Sequence, residues 1–229
     1  MQLSVIVPAL DEGGEISATL RTLAPVRARG GEVILVDGGS RDDTVMQARP
    51  FVDAVVESAP GRAVQMNAGA VAARGDWLWF VHADSRVDAA AVNDIEAMAA
   101  RSRRRWARFG VRLSGGRFLF RTIGFLMNAR SCLTGIATGD QGIAVERALF
   151  ESVGGYPEQP LMEDIALSRI LRAHTWPACL PVRITTSSRR WERRGAWRTI
   201  WLMWSLRFAY WRGADPVALA RRYRGGEAA

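Results

Sequence analysis

Four acidic residues and one histidine sit where apolar runs give way to turn residues. His82 and Asp84 follow the run Trp77 to Val81, Asp37 follows Glu32 to Val36, and Glu163-Asp164 opens a periodic stretch that starts at Met162. A carboxylate and an imidazole two residues apart are a possible metal site. A further Asp at a strand end can accept hydrogen bonds from a base or ribose, and an acid at a helix start can take a proton. Any one of these acids alone reads as the cap of the next helix. Their shared setting, and their order along the chain, make them a set.

The elements that must position them follow from hydrophobic patterning. Leu3–Leu10, Glu32–Val36, Ala54–Glu57 and Trp77–Val81 are short apolar runs without polar alternation, as in strands covered on both faces. Helical spacing falls between them, at Ile16–Leu23, from Asp42-Asp43-Thr44 to about Arg49 before Pro50, and at Ala63–Ala73. This alternation predicts an α/β fold with a parallel sheet, whose ligands bind beyond the carboxyl ends of the strands. The second half predicts an edge strand at Phe109–Leu113, a helix at Phe118–Cys132 and a polar loop at Thr138–Gly142. A strand at Ile143–Val145, helices at Arg147–Val153 and Met162–Ala173, and a last strand at Ala178–Ile184 follow. No internal repeat or linker interrupts the chain. The parse is one domain over residues 1–194 with a Trp- and Arg-rich extension over residues 195–229.

Composition bounds the partners. The chain has 229 residues, 48% of them hydrophobic, and a formal net charge of +8 in which every basic residue is Arg. Guanidinium forks suit phosphate and carboxylate, and a basic surface fits nucleotides, nucleic acid or acidic lipid. No G-x-G-x-x-G fingerprint and no Walker lysine is present. Cys132 and Cys179 lack metal or redox spacing and read as buried or free thiols of a reducing compartment. No secretory leader is visible, and no run approaches the roughly 18 apolar residues of a spanning helix, so a cytoplasmic protein is expected.

These residues carry a resemblance. Ser4-Val5-Ile6-Val7-Pro8-Ala9-Leu10-Asp11-Glu12, then Val36-Asp37-Gly38-Gly39-Ser40 with Asp42-Asp43-Thr44, then His82-Ala83-Asp84, then Glu163-Asp164 resemble the ordered motifs of family 2 glycosyltransferases. The resemblance implies a GT-A fold: a Rossmann-like, mainly parallel mixed sheet flanked by helices, here with a C-terminal helical appendage. It implies metal-assisted and inverting transfer of a sugar from a nucleotide-sugar donor to a small-molecule or lipid-linked acceptor hydroxyl. It assigns Pro8, Ala9, Asp11, Glu12, Asp37, Gly38, Arg62 and Ala83 to the donor nucleotide, and Asp84 with His82 to Mn2+ or Mg2+. His82 departs from the acid usual at that place. Asp164 is the general base, with Glu163 beside it. Gln141 is assigned to the acceptor, and Arg189, Arg190 and Trp191 to the diphosphate. Gly61-Arg62-Ala63-Val64-Gln65-Met66-Asn67-Ala68-Gly69-Ala70 with Ser188-Arg189-Arg190-Trp191-Glu192 further resembles a small bacterial subgroup. Its members are labelled as radical-SAM- and selenodomain-associated or arsenosugar-biosynthesis transferases.

Two other readings compete. A nucleotidyltransferase or nucleotide-sugar hydrolase would use a similar fold. A nucleic-acid binder would use the basic run Arg101–Arg108, but that run holds one aromatic, Trp106, and no RNA-binding motif, so no nucleic acid is expected. Trp197, Trp201, Trp204 and Trp211, interleaved with Arg198, Arg207 and Arg212, suit either a helix on the inner membrane surface or a packing and dimer contact.

Overall fold

A computed structural model describes residues 1–115, 118–188 and 195–225. Its strands are β1 Leu3–Ala9, β2 Glu32–Asp37, β3 Ala54–Glu57, β4 Trp77–Phe80, β5 Ser85–Arg86, β6 Trp106–Leu113, β7 Ile143–Glu146 and β8 Ala178–Thr186. They form one mixed sheet in the order β3-β2-β1-β4-β7-β6-β8-β5. The pairs β1–β2, β1–β4, β2–β3 and β6–β8 are parallel, and β7 runs antiparallel between β4 and β6. The carboxyl ends of β1, β2, β4, β6 and β8 therefore share one edge.

Helices cover both faces, which is why the strands are apolar throughout. On one face α1 (Ile16–Thr22), α2 (Ala24–Ala28) and α5 (Ala90–Arg101) pack Ile16, Leu20, Val26 and Ile95 onto Val5, Val7 and Trp79. On the other face lie α4 (Arg62–Ala72), α7 (Arg147–Ser152) and α8 (Glu163–His174). They pack Met66, Leu149 and Leu167 onto Ile6, Leu78 and Phe80. Alternate residues of β1 and β4 thus enter opposite cores. The short helix α3 (Thr44–Ala48) follows the β2 loop, and α6 (Phe118–Thr134) lies against β6. Two C-terminal helices, α9 (Ala196–Trp211) and α10 (Pro216–Gly225), pack Leu206 and Leu219 onto Met162 and Ile165.

Two expectations are corrected here. The strand predicted at Phe109–Leu113 begins at Trp106 and is not an edge, because β7 and β8 flank it on both sides. Arg108, at the end of a run that reads as a solvated basic patch, is 2% exposed. Its guanidinium donates to the carbonyls of Phe109 and Asn128 (3.1 and 2.9 Å) and to Cys132 Sγ, and burial pulls its pKa down to about 10. Nearby, Arg105 pairs with Glu146 and Arg104 donates to the Trp176 carbonyl, which further breaks up the run.

The cysteines are likewise not free thiols. Cys179 enters β8 opposite Arg108 of β6, and Cys132 reaches the same place from α6, so the two form a disulfide with Cα atoms 6.1 Å apart. Their separation of 47 residues closes only through tertiary packing.

Candidate active site

The β1 and β2 ends are tied together before any ligand is considered. Gln65 on α4 donates to the carbonyls of Ala9 (2.8 Å) and Val36 (2.9 Å), and Gly38 N donates to Ala9 O (2.9 Å). Pro8 and Ala9 are buried as they reach the edge, whereas Asp11 is exposed there with φ 53. Asp37 is buried, and its carboxylate accepts from Gly39 N (3.1 Å), Ser40 N (3.0 Å) and Ser40 Oγ (2.5 Å). Ser40 Oγ in turn accepts from Asp11 N (3.0 Å), and Asp11 accepts from Arg41 N (2.7 Å). Glu12 N donates to Thr44 (2.8 Å), which also bonds Asp42. Hydrogen bonds from Thr44 and Gly13 hold the Asp42 carboxyl below its ordinary pKa. The two loops expected at the donor are thus one hydrogen-bonded unit.

Past β4 the chain turns, with Ser85 N donating to His82 O (3.1 Å), and β5 pairs with the end of β8 at Ser85↔Thr186. This opens a cleft of ≈ 370 Å3 lined by Glu15, Asp84, Arg86, Ser114 and the stretch Thr185 to Ser188. Asp84 is half-buried in its wall, with no hydrogen bond or ion pair to its carboxylate among the described residues. Ala83 is buried beneath, its carbonyl taken by Thr19 (2.6 Å). The stretch leading to Arg189, Arg190 and Trp191 starts at this cleft, but those three residues lie outside the described ones.

His82 turns a different way. Because β7 runs antiparallel beside β4, with Phe80 opposite Ile143, the turn before β7 lies at the end of β4. The imidazole stacks on Gly139, where a Cβ would come within 2.3 Å of Nε2, and Nδ1 lies 3.5 Å from Asp140 Oδ1. Gly139 N donates to Asp164 Oδ2 (2.8 Å), so His82, the turn and Asp164 form one chain of contacts. Gln141, in the same turn, is 0% exposed. It donates to Asn128 (3.3 Å) and accepts from Thr138 N (3.2 Å), so it braces the turn from inside rather than lining the cleft.

Glu163 and Asp164 open α8 after Met162, whose φ of 66 is left-handed. Adjacent helix positions diverge by about 100°, and the two acids do so here. Glu163 is 5% exposed, whereas Asp164 is half-buried and faces the Gly139 turn. Burial, and then the neighbouring Asp164, raise the Glu163 pKa against the pull of Arg62 and His82. Desolvation lowers the pKa of Arg62, but the carboxylates of Glu163, Asp140 and Asp164 raise it on balance. Tyr156, missed in the sequence, is buried nearby, and desolvation with the charges of Asp164 and Glu163 drives its pKa well up. Asn67 holds its backbone at both N–H and C=O (2.9 Å each). A Cβ at Gly155 (φ 76) would stand 2.7 Å from the Asn67 Oδ1, so this clamp needs glycine there.

The donor atoms decide what metal chemistry fits. Among the described residues no group of three or more His, Cys, Asp or Glu side chains could hold an ion. Nucleotide-bound Mg2+ commonly uses one or two carboxylates plus phosphate oxygens and water. An unpaired Asp84 in an open cleft fits that mode and not an all-protein cage. His82 is directed at the Gly139–Asp140 turn.

Residues 4–121 match the family described as Glycosyl transferase family 2, and the chain belongs to that family. A stretch of 85 residues is 36% identical to an uncharacterized glycosyltransferase of Haemophilus influenzae, covering 36% of this chain and 29% of that protein. The fold is similar to that of S. aureus TarS residues 1–349, with a TM-score of 0.67 and 21% identity over 82% of this chain and 61% of that one. It is also similar to Mycobacterium tuberculosis glucosyl-3-phosphoglycerate synthase in complex with Mn2+, UDP and phosphoglyceric acid. There the TM-score is 0.59 and the identity 21%, over 81% of this chain and 69% of that one. The mixed sheet with flanking helices is thus the GT-A architecture. Among the described residues no helix is long and apolar enough to cross a membrane.

Proposed function

We propose that the protein is a nucleotide-sugar glycosyltransferase that works by inversion, with Asp164 as general base. The observation that supports this reading is that one sheet edge carries both Asp84, without a partner among the described residues, and Asp164, held by Gly139 N. The acceptor hydroxyl oxygen attacks the anomeric carbon from the side opposite the leaving group, and its proton passes to Asp164. The bond from that carbon to the diphosphate breaks, and the nucleoside diphosphate departs with the electron pair. Asp84 would hold the divalent cation, Mn2+ or Mg2+, which supplies Lewis-acid neutralisation of the departing diphosphate. His82 positions the Gly139 turn and hence Asp164. The loops of Pro8–Glu12 and Asp37–Gly38 bind the nucleotide together with Arg62, which starts α4 exposed and in the field of Glu163, Asp140 and Asp164. The complexes of TarS with UDP-GlcNAc and of the mycobacterial synthase with UDP and Mn2+ or Mg2+ support a UDP-type donor and either ion.

A thermal-shift screen of UDP-, GDP- and dTDP-sugars, each with Mn2+ or Mg2+, tests the donor reading, because a ligand of the native state raises apparent stability. One donor class is expected to stabilise the wild type in a metal-dependent way and Asp84→Ala far less. No shift with any donor would overturn it. Pyrophosphate release would point to a nucleotidyltransferase instead, and free sugar formed without an acceptor to a hydrolase.

A second observation supports attachment to an anionic membrane surface. Trp197, Trp201, Trp204, Phe208 and Trp211, spaced at four and three residues along α9, are between 59% and 76% exposed, with Arg198 and Arg212 among them. Aromatic rings with flanking cations suit the interfacial zone of such a membrane. Wild-type protein is expected to sediment with phosphatidylglycerol vesicles, and Trp201→Ser/Trp204→Ser to stay in the supernatant. A dimer broken by the same substitutions, with no vesicle binding, would assign that face to a second copy.

A further inference from the structure

We propose that Arg130 and Arg207 form a phosphate-binding site beside Asp164, and that the acceptor is a phosphate-bearing molecule. The proposal rests on the transferase reading for the word acceptor, and on the geometry alone for the anion site.

Arg130 lies near the end of α6 and Arg207 on α9. The helices are brought together by apolar contacts. Ile200 of α9 packs onto Phe120 and Ile123 of α6, and Leu206, next to Arg207, packs onto Met162 and Ile165 at the start of α8. Nε and Nη2 of Arg130 and Nε of Arg207 are buried without a hydrogen-bond partner among the described residues. Neither side chain makes an ion pair among the described residues. Their state differs from that of the other buried arginines. Arg108 and Arg147 each leave one nitrogen open, but use the others on carbonyls or sulfur. Arg121 and Arg198 on the same two helices, and Arg212 just past α9, are exposed to solvent.

An unmet buried polar group is unfavourable by about 1–3 kcal/mol, and two such cations side by side repel. Burial, and then the charge of Arg207, pull the Arg130 pKa down to about 10, with Asp164 opposing. Burial also lowers that of Arg207, against Asp164 and Asp140. A bound anion would relieve both deficits. Three open nitrogens on two planar forks from different helices suit an anion whose oxygens point in several directions, as those of a phosphate do.

The acceptor is the substrate that must abut the general base, and the cation that would neutralise the donor's diphosphate belongs at Asp84 instead. Asp84 lies in the cleft beside β5, where Arg86 is already paired with Glu15 (2.5 Å), whereas Arg130 and Arg207 face the charge of Asp164 from α6 and α9. The anion they hold therefore belongs to the attacking molecule.

The test titrates the full chain with glycerol 3-phosphate and, in a separate arm, with phosphatidic acid vesicles, following tryptophan fluorescence. Wild type, Arg130→Met, Arg207→Lys and the exposed control Arg121→Met are compared, with UDP-sugar binding and melting temperature measured for each. Saturable binding is expected in one arm, weakened at least about tenfold by Arg130→Met and less by Arg207→Lys, which keeps charge but loses the fork. Arg121→Met is expected to bind as wild type. An arginine-dependent signal with glycerol 3-phosphate identifies a free phosphate monoester; one confined to vesicles identifies a lipid-borne phosphate. Melting temperature is expected to hold or rise in Arg130→Met, since an unpaired charge is removed; a fall in both variants would indicate a structural role and overturn the proposal. So would absence of arginine-dependent binding in both arms, or a parallel loss of UDP-sugar affinity, which would give the pair to the donor diphosphate. Wild type that binds phosphate through these arginines but no nucleotide sugar would retain the anion site and overturn the transferase reading.

Discussion

Glu32 and Glu163 are the same residue type at nearly the same exposure, 4% and 5%, on opposite edges of one sheet, yet their pKa values move in opposite directions. Burial raises that of Glu32, but its partners outweigh burial. Ser4 Oγ and Arg74 N donate to it at 2.6 Å each, and the Arg74 guanidinium pairs with it at 2.9 Å. Ser4 Oγ also accepts from Gly75 N (2.8 Å), so the amino edge is closed on itself. Glu163 has burial and the like charge of Asp164 acting together, and among the described residues the carboxyl edge around it leaves the Asp84 carboxylate and buried nitrogens of Arg130 and Arg207 without partners. The difference separates a polar cluster that stabilises the fold from one whose partners arrive from solution.

That contrast can be broken from either side. The largest effect is expected at the open edge: Asp164→Asn and Asp84→Ala should each lower transfer by about 10³-fold, near 4 kcal/mol, with unchanged melting temperature. Retained turnover in both purified variants would sink the mechanism. Loss of the disulfide, which anchors the end of α6 two residues from Arg130, should reduce stability by up to about 4 kcal/mol by loop entropy. Denaturant melts of Cys132→Ala, and a thiol count near zero in unreduced, unfolded wild type, measure it.

At the closed edge, Glu32→Gln should destabilise by about 2 kcal/mol while leaving the turnover of folded protein intact. Its contribution has a definite pH sign. The folded pKa lies below the ordinary 4.5, so the stabilisation is full above that value and fades as pH falls through the folded pKa. The gap between wild type and Glu32→Gln should therefore narrow in acid melts. The smallest effect is expected for His82→Asn, about tenfold in turnover with Mn2+ affinity unchanged. A parallel loss of Mn2+ affinity would make His82 a ligand instead.

The first half of the fold was legible because β1 and β4 are buried on both faces, and their apolar runs have no other use. The order Asp37, Asp84, Asp164 was legible because each ends or begins an element at the same edge. β6 was not, because Arg108 owes its burial to carbonyls that include Asn128, 20 residues on. The burial of Gln141, assigned to the acceptor from its place in a polar turn, was not legible either, because its partner Asn128 comes from a helix packed only in three dimensions. Arg130 and Arg207 are two arginines in a chain whose every basic residue is arginine, and only the packing of α6 against α9 sets them apart.

Met162 shows how little freedom the open edge leaves to mutation. Its left-handed backbone, φ 66, would suit glycine, and that exchange would relieve about 1 kcal/mol or more of conformational strain. Yet its side chain is buried against Ile165, Leu206 and Leu219, so glycine would empty a contact that seats α9 and α10. Leucine would fill the contact but keep the strain. Neither exchange is an uphill step for a thermostability selection, so the residue ahead of the two carboxylates resists both of the replacements its backbone and its packing would each favour.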